Sequence, residues 1–177
     1  LAGGVNLYAY AGSNPISFSD PFGLKVEFES AEAEALYNRM KQAAEAATRS
    51  RNRLVASSGR KLLATLTALE ADDEVVRIEL NDGFQNGFGI DGKSNDWAIV
   101  VSDQHPGRVA PQVRLAHELG HAYSTMVDGR NPRDLTSMPL SNTRALETEN
   151  AARGIWRCQP RIDHTTTLIR LFNPSCQ

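Results

Sequence analysis

Two histidines and a glutamate stand at a spacing that suits metal-assisted hydrolysis. The segment His117-Glu118-Leu119-Gly120-His121 holds two of the four histidines in the chain. Side chains four positions apart on a helix share a face, so both imidazoles can reach one zinc ion. Glu118 then lies beside the metal, where it can take a proton from the attacking water and return it to the leaving amine. The pattern predicts a zinc-dependent peptidase site, with His117 and His121 as ligands and Glu118 as the catalytic residue.

The sequence around this motif favours a buried helix over a chance match, in which two histidines would merely pack on a core helix. Pro111 suits the first turn of a helix, and Gly129 follows near its expected end at Met126. Gly120 costs about 1 kcal/mol relative to Ala inside a helix. A small residue there is understandable if a strand or a substrate packs closely against the helix. The other residues of the motif region are apolar: Val113, Leu115, Ala116, Leu119 and Ala122.

A third zinc ligand is needed, because catalytic zinc usually has three protein ligands and an open position for water. The candidates are Asp128, Glu147, Glu149 and His164. Glu147 and Glu149 lie about 200° apart round a helix, so both cannot bind easily. Geometry leaves these two nearly equal, with Asp128 behind. Arg153 follows Glu149 by one helical turn, so it could hold that carboxylate in place or form an ordinary surface ion pair.

Hydrophobic periodicity places this motif among alternating helices and strands. We expect an α+β, zincin-like fold, with the site helix and a second ligand-bearing helix packed on a small, mostly antiparallel sheet. The strand just before the site helix is a candidate edge strand, which would bind substrate by adding it as a further strand. The predicted helices cover residues 31–48, 58–69, 111–126 and 143–156, with Ser30 and Asn142 as caps of the first and last. The predicted strands cover residues 6–10, 74–80, 96–101 and 165–171, with a short extended piece at 88–90.

Composition limits the partners and the setting. The net charge of -2 gives no electrostatic case for nucleic acid or an anionic membrane. No apolar run approaches the roughly 20 residues that a membrane span needs. The two cysteines, Cys158 and Cys176, form no Cys-x-x-Cys pair, and two free thiols are the preferred interpretation. A disulfide that ties down the tail is the alternative.

The first 24 residues differ from the rest, because they contain no Lys, Arg or Glu. They begin like a fragment of something longer. Residues 4–15 read Gly-Val-Asn-Leu-Tyr-Ala-Tyr-Ala-Gly-Ser-Asn-Pro, and residues 20–24 read Asp-Pro-Phe-Gly-Leu. This stretch resembles the end of the core shell of bacterial Rhs proteins. That resemblance implies cleavage after Leu24, with Asp20 as a participant, and release of a C-terminal toxin. In that family the shell ends in two copies of Asp-Pro-x-Gly-Leu, and Leu1 would be the last residue of the first copy. The aspartate of that first copy is absent here, so this fragment should not cut itself.

Residues 25–177 would then be the toxin domain. The segment 115–123 and the segment Thr148-Glu149-Asn150-Ala151-Ala152-Arg153 together resemble zinc metallopeptidase effectors secreted by bacteria. Those proteins carry a His-Glu-x-x-His helix followed by a Glu-Asn-x-x-Arg helix. The resemblance makes Glu149 the preferred third ligand of Zn²⁺ and Arg153 its support. That family also has an arginine and a tyrosine later in the chain. Here Arg161 matches the arginine and the tyrosine is missing, which leaves substrate specificity open.

The two resemblances together imply a bacterial toxin that an Rhs carrier delivers into the cytoplasm of a target cell by contact-dependent, type VI secretion. A toxin of this kind implies an immunity protein in its producer. Two alternatives stay open from the sequence. One is a zinc hydrolase that acts on a non-peptide bond, and the other is a non-catalytic toxin that acts by binding.

Overall fold

The structure is a computed structural model that describes residues 26–83, 86–92, 96–102 and 109–162. Several predictions from the sequence lie outside these residues and are not tested by it. They are the cleavage segment with Asp20 and Leu24, the expected strands at 6–10 and 165–171, and the residues His164 and Cys176.

Four helices account for most of the described chain: α1 (Ala31–Thr48), α2 (Arg53–Glu70), α3 (Pro111–Met126) and α4 (Met138–Ile155). Helices α1 and α3 match the predicted bounds. Helix α2 begins earlier than predicted, because the Asn52 side chain accepts hydrogen bonds from the backbone N–H groups of Leu54 and Val55. Helix α4 also begins earlier, after Ser137, so the predicted cap Asn142 lies inside it.

The four strands form one mixed sheet in the order β1 (Val26–Phe28), β2 (Val76–Asn81), β4 (Trp97–Ser102) and β3 (Gly87–Ile90). Strand β1 pairs in parallel with β2, and β2 in parallel with β4. Only the β3–β4 pair is antiparallel. The α+β organisation is confirmed, but the prediction of a mostly antiparallel sheet is wrong. Helices α1 and α2 form the crossover that lets β2 run alongside β1 in the same direction.

Strand β4 lies inside the sheet, between β2 and β3, so the prediction that it is a substrate-binding edge is wrong. Its burial is typical of a central strand, because Ala98, Ile99 and Val101, which point to both faces of the sheet, are all buried. Within the described sheet, β3 forms the edge on the side of β4. The short strand β1 has only three residues, too few for a sequence pattern to reveal.

The helices cover the core with closely packed aliphatic side chains. Helix α2 buries Leu62, Leu66 and Leu69 completely. Gly59 of α2 lets that helix approach α1, because a Cβ at this position would lie 2.7 Å from the carbonyl oxygen of Ala44. No helix among the described residues is both long and apolar enough to cross a membrane.

Cys158 follows α4 and is disulfide-bonded. The preferred interpretation of free thiols is therefore wrong for Cys158. The alternative, a disulfide, is correct for this residue. Nothing in the sequence distinguishes the two states, because pairing depends on how close two cysteines come in the fold.

Candidate metal centre

The motif helix α3 begins with Pro111 and buries its apolar face completely. Val113, Leu115 and Leu119 have no solvent exposure. His117 and His121 stay partly exposed on another face, with their ring centroids 5.0 Å apart in an edge-to-face arrangement. The spacing of the motif therefore does place the two imidazoles side by side, as the helical period requires.

Helix α4 lies directly against the backbone of α3 at Gly120. A Cβ on Gly120 would lie 2.5 Å from the Cα of Ala145 and 2.8 Å from the carbonyl oxygen of Arg144. The small residue in the motif therefore admits a second helix. The expectation of a strand or a substrate at this point is corrected. Because the two helices touch at Gly120, side chains of α4 on both sides of Ala145 come within reach of the histidines.

Each histidine makes a hydrogen bond through Nδ1 to a residue of α4. His117 Nδ1 lies 2.9 Å from Oε2 of Glu149, and His121 Nδ1 lies 2.9 Å from Oγ of Ser141. The sequence pointed to Glu149 through its resemblance to a ligand-bearing helix. It gave no signal for Ser141, because one serine outside a motif has no spacing that marks it.

Glu149 lies at the centre of a buried ionic cluster. Arg153 Nε donates to its Oε1 at 2.7 Å, and Arg161 Nη1 donates to its Oε2 at 3.1 Å. Burial acts to raise the pKa of Glu149, but the hydrogen bond from His117 and the positive charge of Arg153 outweigh it and lower the pKa to about 2. The carboxylate is therefore ionised at neutral pH, so His117 must donate its Nδ1 proton to it.

The other two carboxylates considered as ligands lie elsewhere. Glu147 is exposed and pairs with Arg144 at 3.2 Å. Asp128 pairs with Arg144 at 3.4 Å and with Arg130 at 3.7 Å. The Arg144 guanidinium also covers the Tyr123 ring, 4.7 Å from its centroid. Of the three carboxylates, Glu149 is the one that contacts a histidine of the motif.

Glu118 is almost entirely buried beside the two histidines, with 8% of its surface exposed. Burial is the main cause that raises its pKa, His117 acts to lower it, and Glu149 acts to raise it, so that the pKa reaches about 7. A carboxyl group with a pKa near neutrality can both accept and give back a proton at physiological pH. The position next to His117 thus holds a group suited to acid–base catalysis.

The types of donor suit zinc, since imidazole nitrogens and an ionised carboxylate are ligands that zinc accepts. Arg153 and Arg161 keep that carboxylate charged. Over the described ranges, however, no three His, Cys, Asp or Glu side chains gather as a group that could hold a metal ion. Glu149 contacts Nδ1 of His117, so the glutamate and the two imidazoles do not converge on one common point.

Arg114 ties the motif helix to the sheet. It is 8% exposed, and its Nη1 donates to the carbonyl oxygen of Val109 at 2.7 Å. Its Nη2 donates to the carbonyl oxygen of Ser102, the last residue of β4. The guanidinium therefore fixes the end of β4 relative to the start of α3. No sequence signal marked Arg114, because a single arginine near a motif most often lies on the surface.

Comparisons of this chain with protein-family models, with curated proteins and with solved structures found no match.

Proposed function

We propose that this chain carries a zincin-like, zinc-dependent endopeptidase domain at residues 25–177, in which His117, His121 and Glu149 hold the metal. The observation that supports it most is the meeting of α3 and α4. It sets His117, one helical turn from His121, against Glu149, a buried glutamate that the electrostatics of the site keep ionised. A purely structural cluster would have no need for Glu118, a second buried carboxyl group with a pKa of about 7 beside the same histidines.

Glu118 performs the proton transfers in this proposal. Bound zinc would supply Lewis acidity toward the scissile carbonyl group and the attacking water. The Glu118 carboxylate would take a proton from that water and then pass it to the leaving amine. In the metal-free protein its pKa of about 7 lets Glu118 both take up and release a proton at neutral pH. Arg153 and Arg161 hold Glu149 in its charged form, which is the form that binds a metal cation.

Strand β3 is the proposed site of substrate binding. It forms the edge of the described sheet and lies against α3. A Cβ added at Gly87 or Gly89 would meet no atom of the described residues within 4 Å, so this part of the strand is open among them. An extended peptide could pair with the main chain of such an edge, which favours a polypeptide over a small amide as substrate.

The biological setting follows from the resemblances of the sequence. The domain would be a toxin, released by cleavage after Leu24 with participation of Asp20. It would enter the target-cell cytoplasm through an Rhs carrier and type VI secretion, and an immunity protein would neutralise it in the producer.

Glu118→Ala tests the catalytic proposal, with Glu147→Ala as the matched control on an exposed carboxylate. Both variants should fold and bind about one zinc per chain. Only Glu118→Ala should lose toxicity and the cleavage of target-cell proteins, compared by proteomics of poisoned cells. Retained toxicity in Glu118→Ala would contradict the mechanism. Toxicity without any protein cleavage would favour the hydrolysis of a non-peptide bond, and a wild-type chain that binds no zinc would favour a binding toxin.

A further inference from the structure

One face of α4 meets the motif helix at every helical turn. Ser141 contacts His121, Ala145 lies against Gly120, and Glu149 contacts His117. These three residues of α4 are four positions apart, so they form one continuous stripe. The stripe thus provides a hydrogen-bonding partner for Nδ1 of each histidine.

We propose that Ser141 is a positioning residue that fixes the ring orientation and the tautomer of His121. This inference rests on the proposed zinc site, in which His121 would bind the metal through Nε2. Ser141 is 7% exposed, and its Oγ lies 2.9 Å from Nδ1. Its backbone N–H donates to the carbonyl oxygen of Ser137 at 3.0 Å, so the residue is held within the helix.

The chemistry of the two partners explains the assignment. Neutral imidazole carries its proton on one nitrogen, and the hydrogen bond made by that nitrogen decides which one it is. A serine hydroxyl can accept a hydrogen bond from Nδ1–H or donate one to a bare Nδ1. The arrangement assigned to His121 is the first, in which Nε2 keeps its lone pair. In the structure Glu149 accepts from Nδ1–H of His117, because an ionised carboxylate can only accept. Since Glu149 is itself a proposed ligand, the positioning role is assigned to Ser141 alone.

The test compares Ser141→Ala with Ser141→Thr, which keeps the hydroxyl group, in the full 177-residue chain. Ser124→Ala is the matched control, since Ser124 is a fully buried serine of α3 whose Oγ makes no hydrogen bond among the described residues. The first measurement is ¹⁵N NMR of the His121 ring in metal-free protein, which reports the tautomer. The second is zinc affinity, by competition with a chromogenic chelator.

We expect Ser141→Ala to lose the single Nδ1-protonated tautomer and to bind Zn²⁺ about 10- to 100-fold more weakly. Ser141→Thr and Ser124→Ala should stay close to wild type in both measurements. A wild-type tautomer in Ser141→Ala would overturn the proposal, and so would an equal loss of affinity in Ser124→Ala. If the wild-type chain binds no zinc, the proposed function fails. The tautomer measurement still decides the role of Ser141, because it needs no metal.

Discussion

Gly120 and Ala145 bring two helices into backbone contact at the centre of the candidate site. A Cβ on Gly120 would lie 2.5 Å from the Cα of Ala145, a distance that non-bonded carbon atoms do not tolerate. The same contact lies between the two hydrogen-bonded pairs of the site, His117–Glu149 and His121–Ser141. The spacing of α3 and α4 therefore determines both pairs at once.

Gly120→Ala should destabilise the protein by about 1–3 kcal/mol, because the added methyl group pushes α4 away. This loss should appear although Ala is the better helix former by about 1 kcal/mol. Urea unfolding measures it. Gly89→Ala is the control, since a Cβ there meets no atom within 4 Å. A Gly120→Ala variant at least as stable as wild type would show that α4 can retreat without cost.

Glu149→Gln should cost about 3–5 kcal/mol of stability, because it leaves the buried Arg153 and the half-buried Arg161 facing a neutral amide. The side chain of Glu149 is 4% exposed, and that of Arg153 is 10% exposed. Glu147→Gln, two positions earlier on an exposed face, should change stability by no more than about 0.5 kcal/mol. Thermal denaturation of both variants checks the prediction. Equal effects of the two would show that the buried cluster contributes little.

The stability of the metal-free protein should fall as the pH rises from about 4.5 to about 7 because of Glu118. Its pKa is raised from 4.5 to about 7, so the unfolded chain ionises across this window while the folded chain keeps the proton. Glu118→Gln removes this effect. The variant should therefore gain about 3 kcal/mol relative to wild type on going from about pH 4.5 to about pH 8.

Urea unfolding in the presence of a chelator, at several pH values across that window, measures the difference between wild type and Glu118→Gln. Glu149 contributes no pH dependence well above its ordinary pKa of 4.5, because its folded pKa is lowered to about 2 and it is then ionised in both states. A difference that stays constant with pH would contradict the raised pKa of Glu118.

Arg114→Met should lower stability by roughly 3 kcal/mol, because two carbonyl groups lose a charged donor. Arg114→Lys should recover only part of this loss, since an ammonium group does not reproduce the fork that reaches Ser102 and Val109 together. Thermal melts check both variants. Arg133→Met, on an exposed residue, is the control. An Arg114→Met variant as stable as the control would remove the proposed link between β4 and α3.

Local signals in the sequence predicted the helices better than the sheet. Pro111 marked the start of α3, and Ser30 marked the start of α1, where its side chain accepts from Ala33. The start of α4 was predicted too late, because Asn142 is a good cap by type but lies within the helix. Whether two strands pair in parallel depends on where α1 and α2 return the chain to the sheet. The alternation of apolar and polar residues within a strand does not indicate its direction relative to its neighbours.

The candidate site was predictable where residue type and spacing combine. The motif located His117, Glu118 and His121, and the resemblance to a second helix favoured Glu149. Ser141 was not found, since its contact with His121 depends on how α4 crosses α3. The close contact at Gly120 was expected, but its partner was wrong, because a glycine shows that something approaches and not what approaches.

The contacts of the α3–α4 hairpin also bear on how the chain folds. His117 and Glu149 are 32 positions apart, and His121 and Ser141 are 20 apart. The parallel pairing of β1 with β2 joins Val26 to Val76, which are much further apart along the chain. Contacts of low sequence separation cost less loop-closure entropy and form faster. During refolding, the candidate centre should therefore assemble from one local hairpin before the parallel sheet closes.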